Sequence, residues 1–138
     1  MSTTISDPRV VSAVADKFAR FVAEGDLDGL RALYTPDARI WHNTDDNAKT
    51  VDESLQFLAG LLSVTTKRWY ADVRLMPTPS GYVDQHYVCA VLTTGEEVRV
   101  PVCMVVTLDG ARVERLEEYI EPDASGPITA ALLRGGGA

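Results

Sequence analysis

The sequence has little cysteine and no surplus of positive charge. Only two of its 138 residues are cysteine, Cys89 and Cys103, too few for a disulfide-stapled secreted scaffold. Both lie within apolar runs and lack the spacing of a metal site, so we expect buried free thiols. Acidic residues outnumber basic ones by 20 to 13, which gives a net charge of -7. This balance predicts no nucleic-acid partner, since phosphates require basic patches.

Long apolar runs are also absent. No run approaches the roughly 20 residues that cross a bilayer, and the N-terminal residues lack the basic and apolar segments of a signal peptide. These absences predict no membrane partner and a cytoplasmic location. The hydrophobic fraction of 46% is typical of a globular domain. We expect a single domain over residues 1–134 and a disordered glycine-rich tail over residues 135–138.

The first half of the chain has helical periodicity. Residues 7–25 open on Asp-Pro, a typical helix start, and then carry apolar residues every three or four positions. Asp26 is predicted to cap a second, shorter helix that carries Leu27, Leu30 and Leu33 and is stopped by Pro36, because proline disfavours helical geometry in the residue before it. Residues 39–43 should then be extended. Thr50 and Glu53 predict a capping box at the start of a third helix.

The second half has the period of β-strands. From Lys67 the period of the apolar pattern changes to two residues. Trp69 and Leu75 then fall on one apolar face of a half-buried strand. Further strands, separated by glycine-containing turns, are predicted over residues 82–94, 98–108 and 112–121. Residues 128–133 predict a short C-terminal helix. Helices followed by antiparallel hairpins indicate an α+β domain whose sheet curls around three N-terminal helices.

Within the helical first half, the stretch Gly25–Asn43 reads GDLDGLRALYTPDARIWHN. Its order G-D-x-D-x-L-x-x-L-Y-x-x-D, followed by a strand, a helix and a sheet, resembles the nuclear-transport-factor-2-like superfamily, in particular its SnoaL-like branch. The matching positions are Gly25, Asp26, Leu30, Leu33, Tyr34 and Asp37. The resemblance covers roughly residues 8–121. It implies a cone-shaped curved antiparallel sheet, a deep pocket between the helices and the concave face, and a homodimer.

The resemblance also addresses two reactions of this superfamily. Ketosteroid isomerases are similar in fold and use a carboxylate base and two hydrogen-bond donors, at positions that match His42, Phe18 and Cys103 here. Because neither donor is retained, the match argues against close steroid-isomerase chemistry. Limonene-epoxide hydrolases are similar too, and their catalytic set matches Trp41, Asn43, Gln85, Tyr87 and Glu118. The arginine that would hold their two carboxyl groups is missing, which argues against epoxide hydrolysis.

His42 is the first candidate for chemistry, because an imidazole can act as acid, base or hydrogen-bond anchor near neutral pH. The alternative is a histidine that only satisfies its own hydrogen bonds in the core. The sequence does not decide which face of its strand points inward. One phase directs Ile40 and His42 inward, and the other directs Trp41 and Asn43 inward.

Glu118 is the second candidate and His86 the third. Glu118 lies between two apolar residues of one strand face, and it is desolvated if that face is the core. We favour this facing over a solvated Glu118, because the opposite one would bury Arg115 and Glu117. His86 opens an otherwise apolar strand, where solvation at the sheet edge is the alternative.

Together these features predict a pocket protein that binds a small, mostly apolar molecule, including a cyclic one. The candidate catalytic residues are His42, Glu118 and His86, and the candidate ligand-binding residues are Trp41, Asn43, Tyr87, Phe18, Cys103 and Gln85. No metal spacing or phosphate loop is present, so we expect no metal and no cofactor. If it is an enzyme, it would be a cofactor-independent lyase, isomerase or hydrolase, for example a dehydratase or cyclase.

The alternative is a non-catalytic ligand-binding or dimerisation module. Convergence of His42 and Glu118 on one closed cavity would favour the pocket protein. Exposure of Trp41 and Tyr87 on a large apolar sheet face would favour the module.

Overall fold

The structure, a computed structural model, describes residues 4–136, which form four helices and six strands. The helices are α1 (Pro8–Glu24), α2 (Leu27–Leu33), α3 (Val51–Val64) and α4 (Pro122–Gly136). The strands are β1 (Tyr34–His42), β2 (Asn47–Lys49), β3 (Thr65–Thr78), β4 (Gly81–Leu92), β5 (Glu97–Asp109) and β6 (Arg112–Ile120). This order confirms the α+β class predicted from the sequence.

The strands form one curved, unclosed sheet in the order β2-β1-β6-β5-β4-β3. Consecutive strands from β3 to β6 pair antiparallel, as expected of hairpins. β1 instead runs parallel to β6, so the sheet is mixed rather than antiparallel throughout. The chain leaves β1 through α3 and returns along the hairpins, which brings the last strand beside the first. The short strand β2, which the sequence did not predict, pairs antiparallel with β1 at the sheet edge.

The predicted helix starts are confirmed by their capping contacts. The Asp7 side chain accepts a hydrogen bond from the backbone of α1, and Thr50 and Glu53 form the reciprocal capping box of α3. The helix α2 carries the predicted leucines and ends at Leu33, whereas β1 begins at Tyr34, earlier than the predicted strand over 39–43, so that Pro36 lies within β1. Pro36 is tolerated there because the pairing of β1 with β6 is irregular at this point.

A β-bulge in β3 changes which side chains face the helices. The register between β3 and β4 shifts around Asp72, which has a positive φ of 53°. Before the bulge Tyr70 packs against the core, and after it Leu75 does. The prediction that Trp69 and Leu75 share one face is therefore wrong, because one extra residue reverses the phase of the side chains.

The main core lies between the helices and the concave face of the sheet, with buried residues from α1, α2, α3 and the four strands β1, β4, β5 and β6. The helix α4 is longer than the predicted 128–133 and packs on α3 and β5. The predicted disordered tail, residues 135–138, overlaps the end of α4, and residues 137 and 138 lie outside the described part. Within residues 4–136, no helix is long and apolar enough to cross a membrane.

Candidate functional site

A cavity of about 390 Å³ lies between the helices and the concave face of the sheet. All four helices and five of the six strands contribute side chains to its wall, which is mostly apolar. Seven polar side chains of its helices and strands also line it: Tyr34, His42, Ser54, Tyr70, Glu118, Ser125 and Thr129. Asp45, in the turn after β1, adds a second carboxylate, and the described lining includes no lysine or arginine.

The strand β1 directs Ile40 and His42 into this cavity, which decides between the two phases that the sequence left open. Ile40 is buried, and both side chains belong to the cavity wall. Trp41 lies on the opposite face, where its ring packs against Tyr119 with 5.2 Å between ring centroids. The parallel register then aligns His42 with Glu118 on the neighbouring strand.

His42 and Glu118 form a hydrogen-bonded pair at the cavity wall. Nε2 of His42 lies 3.0 Å from Oε1 of Glu118, and the two side chains are 12% and 15% exposed. The ring of Phe57 covers the imidazole, with 5.8 Å between the ring centroids. An imidazole and a carboxyl group in contact within an apolar cavity can accept and return a proton. The structure therefore brings together two of the three predicted catalytic residues.

Two tyrosines that the sequence interpretation did not select, Tyr34 and Tyr70, line the same cavity. Burial, followed by the negative charge of Glu118, raises the pKa of both phenols well above the ordinary value of 10.0. Both phenols are therefore protonated near neutral pH and can donate hydrogen bonds. Tyr34 was visible only as a motif position, and the bulge in β3 concealed the facing of Tyr70.

The third predicted catalytic residue, His86, lies behind the cavity wall. Its side chain is 0% exposed, and its Nδ1 lies 2.8 Å from Oδ1 of Asp84, which is also buried. The imidazole stacks on the ring of Tyr70 at 3.8 Å between centroids and an interplanar angle of 16°. Solvation at the sheet edge, the alternative considered for His86, is therefore wrong. Asp84 was not among the predicted site residues.

The predicted ligand-binding residues separate into three places. Phe18 lines the cavity. Asn43 instead joins β1 to β6: its amide nitrogen donates to the Ile120 carbonyl at 3.1 Å, and its Oδ1 accepts from the Ile120 N–H at 2.8 Å. The remaining four side chains, Trp41, Gln85, Tyr87 and Cys103, lie on the outer, convex side of the sheet.

The outer side carries a wider and more open groove of about 760 Å³. Gln85, Tyr87, Cys103 and Tyr119 line it, and none of these four lines the inner cavity. Both cysteines are free, as expected, although Cys103 is only partly buried. Burial raises the pKa of the Cys89 thiol, which disfavours the reactive thiolate.

Four helices packed on a curved mixed sheet around one cavity define an α+β protein of the nuclear-transport-factor-2-like fold. Residues 15–116 match the SnoaL-like domain, and the chain belongs to this family. No curated protein sequence matches it significantly.

Solved structures share this fold at low sequence identity. PrhC from Penicillium brasilianum is 14% identical, with a TM-score of 0.79 over 95% of this chain and 93% of that one. A candidate SnoaL-like polyketide cyclase from Shewanella denitrificans is 13% identical, with a TM-score of 0.74 over 91% and 99% of the two chains. A candidate isomerase from Bacillus subtilis is 11% identical, with a TM-score of 0.76 over 89% and 94%. At such identities the similarity shows the fold alone.

Proposed function

We propose that the cavity binds an uncharged, mostly apolar molecule, including a cyclic one, and that Glu118 and His42 transfer a proton on it without a cofactor. The observation that carries this proposal is the 3.0 Å contact between the two side chains at the wall of a cavity of about 390 Å³. The cavity volume is in the range of small-molecule sites, which combine apolar walls with a few converging polar groups.

The preference for an uncharged ligand follows from the charges around the cavity. Glu118 and Asp45 bring two carboxylates to its lining, with no lysine or arginine among the described lining residues. Lys49, near the turn that contains Asp45, is already paired with that carboxylate. Burial is the main cause of the raised pKa of the two cavity phenols, and the negative charge of Glu118 raises it further. A ligand carboxylate or phosphate would be repelled there.

In the proposed step, the Glu118 carboxylate accepts a proton from a carbon next to a ligand carbonyl. The C–H bond breaks, its electron pair moves toward the carbonyl oxygen, and an enolate forms. His42 holds the carboxyl group through the hydrogen bond from its imidazole. Return of the proton from Glu118 to another atom completes an isomerisation. Alternatively, the enolate carbon attacks a second carbonyl and closes a ring, and Glu118 returns its proton to the alkoxide that forms there. The candidate cyclase and candidate isomerase of this fold support the same reaction class.

Deuterium exchange into 2-tetralone, an uncharged bicyclic ketone, tests the proposal. We expect the wild-type protein in D₂O to accelerate exchange at the carbon between the ring and the carbonyl, as followed by proton NMR. Glu118→Gln should lower the protein-dependent rate by roughly 100-fold or more, the usual scale of general acid–base catalysis. His42→Ala should lower it less. Glu117→Gln, a neighbouring outward carboxylate paired with Arg115, is the matched control and should retain the rate.

Equal protein-dependent rates in the wild type and Glu118→Gln would overturn the assignment of Glu118. Native mass spectrometry offers a second measurement if a ligand co-purifies. In that case, unchanged ligand occupancy in both Glu118→Gln and His42→Ala would reject the cavity as the binding site.

A second role, homodimerisation, is favoured by the outer side of the sheet. Tyr119 and Val105 are 46% and 36% exposed on adjacent strands beside the open groove. An exposed apolar sheet face of this kind suits a two-fold dimer. A protein that only dimerises would bury this surface and would not accelerate deuterium exchange into 2-tetralone.

Light scattering after size-exclusion chromatography tests the dimer. We expect the wild type at twice the chain mass of 15.0 kDa and Val105→Glu at the chain mass, because a charge would be buried in the interface. Leu133→Glu, at an exposed apolar position on α4, is the control and should remain dimeric. A wild-type monomer at micromolar concentration would contradict the dimer.

A further inference from the structure

The pair formed by Asp84 and His86 has no part in the proton transfer above, although it is the most deeply buried polar group pair on β4. The two residues are two positions apart on one strand and so face the same side of the sheet. Their side chains are 2% and 0% exposed, with 2.8 Å between Asp84 Oδ1 and His86 Nδ1. A carboxylate at Nδ1 fixes both the orientation of an imidazole and the nitrogen that carries the proton.

The opposite nitrogen of His86 makes no polar contact. Nε2 is buried and has no hydrogen-bond partner among the described residues, so Asp84 is the polar group that orients this ring. The face of the ring is in contact instead, stacked on Tyr70 at 3.8 Å. The imidazole thus joins a buried carboxylate on one side to a cavity tyrosine on the other.

Tyr70 lies between the two histidine–carboxylate pairs. Its ring lines the cavity that contains Glu118, and its other face is against His86. Burial first, then the charges of Glu118 and of Asp84, raise the pKa of its phenol. Tyr70 therefore carries its proton near neutral pH, and it can donate a hydrogen bond to a ligand.

We propose that Tyr70 is the hydrogen-bond donor of the cavity, that Asp84 and His86 form the positioning pair that holds its ring, and that the site accordingly selects ligands with an acceptor oxygen, such as ketones. The inference rests on the proposed function in that a ligand occupies this cavity. It adds a polar contact and a ligand class that the pair of His42 and Glu118 does not define.

Two matched ligands test the donor. 2-Tetralone and tetralin have the same bicyclic frame and differ in the carbonyl group, and equilibrium dialysis measures the affinity of each. Tyr70→Phe should weaken 2-tetralone binding by about fivefold, the scale of one neutral hydrogen bond, and should leave tetralin binding unchanged. The carbonyl stretch of bound 2-tetralone should move toward its unbonded frequency in Tyr70→Phe.

Two double variants test the positioning pair. Asp84→Leu with His86→Leu removes both polar partners and the ring, whereas Asp84→Leu with His86→Phe keeps a flat ring against Tyr70. We expect the first to lose part of the preference for 2-tetralone over tetralin and to broaden the carbonyl band. Asp84→Leu with His86→Phe should restore the preference for 2-tetralone, because a flat ring again packs against Tyr70. If the first variant lost its preference only because the polar pair was removed from the core, the second would lose it too.

The outcomes separate this inference from the proposed function. Absence of binding of both ligands to the wild type would reject the cavity as a ligand site. Binding of both, with equal effects of Tyr70→Phe on ketone and hydrocarbon and an unchanged carbonyl band, would overturn the donor role alone. If Tyr70→Phe acts selectively but Asp84→Leu with His86→Leu matches the wild type, the positioning role is overturned.

Discussion

The chain has two histidines, and each contacts a carboxylate, but the two pairs occupy different environments. His42 and Glu118 come from neighbouring strands, lie 3.0 Å apart and remain 12% and 15% exposed toward the cavity. His86 and Asp84 come from one strand, lie 2.8 Å apart and are sealed from solvent at 0% and 2% exposure. The first pair can reach a ligand, whereas the second can act only through what it contacts.

This difference shows that residue type alone does not assign a role. Both pairs could exchange a proton in principle, and both face the concave side of the sheet. The distinction comes from the neighbours, since the cavity opens onto Glu118 while Tyr70 covers His86. Accessibility therefore makes Glu118 the candidate acid–base group and makes His86 a candidate support for Tyr70.

The largest expected effect is a loss of unfolding free energy when the buried pair of His86 and Asp84 is broken. His86→Ala leaves a buried carboxylate without its partner, which costs about 3–5 kcal/mol of unfolding free energy. His42→Ala should cost about 1 kcal/mol, because Glu118 can be hydrated from the cavity and only one hydrogen bond is lost. Urea denaturation followed by circular dichroism measures both values.

A matched double variant identifies the cause of that loss. Asp84→Leu combined with His86→Leu should recover much of the stability lost in His86→Ala, since replacing both members of a buried pair by apolar groups is nearly neutral. Similar losses in His86→Ala and His42→Ala would show that the two pairs are equally hydrated, against the burial difference on which the comparison depends.

The starts of α1 and α3 and the antiparallel hairpins were predictable because their signals are local. The caps at Asp7 and Thr50 and the turn glycines act within a few residues, and the structure has them where they were expected. The parallel pairing of β1 with β6 was not predicted. It joins segments far apart in the sequence, and no local pattern specifies such a contact.

The site was predictable only in part for the same reason. His42 and Glu118 were selected as isolated polar residues on apolar strands, but their contact depends on the parallel register. Strict alternation puts Tyr70 on the face opposite Leu75, but the bulge at Asp72 reverses the alternation, so both side chains face the core. The match of Gln85 and Tyr87 to a catalytic set of another reaction placed them in a pocket, whereas their strand directs both to the outer groove.

The smallest expected effect is a shift in tyrosine titration, and it sharpens the comparison by separating the charges of the two pairs. After burial, Glu118 raises the pKa of Tyr34 and Tyr70, whereas Asp84 raises that of Tyr82 and contributes to that of Tyr70. Glu118→Gln should therefore lower the pKa of Tyr34 and Tyr70 and leave that of Tyr82 unchanged. Carbon NMR of the labelled phenol rings measures each.

The sign of the accompanying change in stability follows from proton linkage. A phenol whose pKa is raised in the folded state contributes its full stability below the unfolded value, 10.0, and loses it as pH rises from there toward the raised pKa. Because Glu118→Gln reduces the upward shift for two phenols, the total stability that the variant loses above that pH should be smaller than the wild type loses. An equal shift of all three tyrosines would mean that Glu118 changes the whole core rather than the cavity potential, and the two pairs would then not be electrostatically distinct.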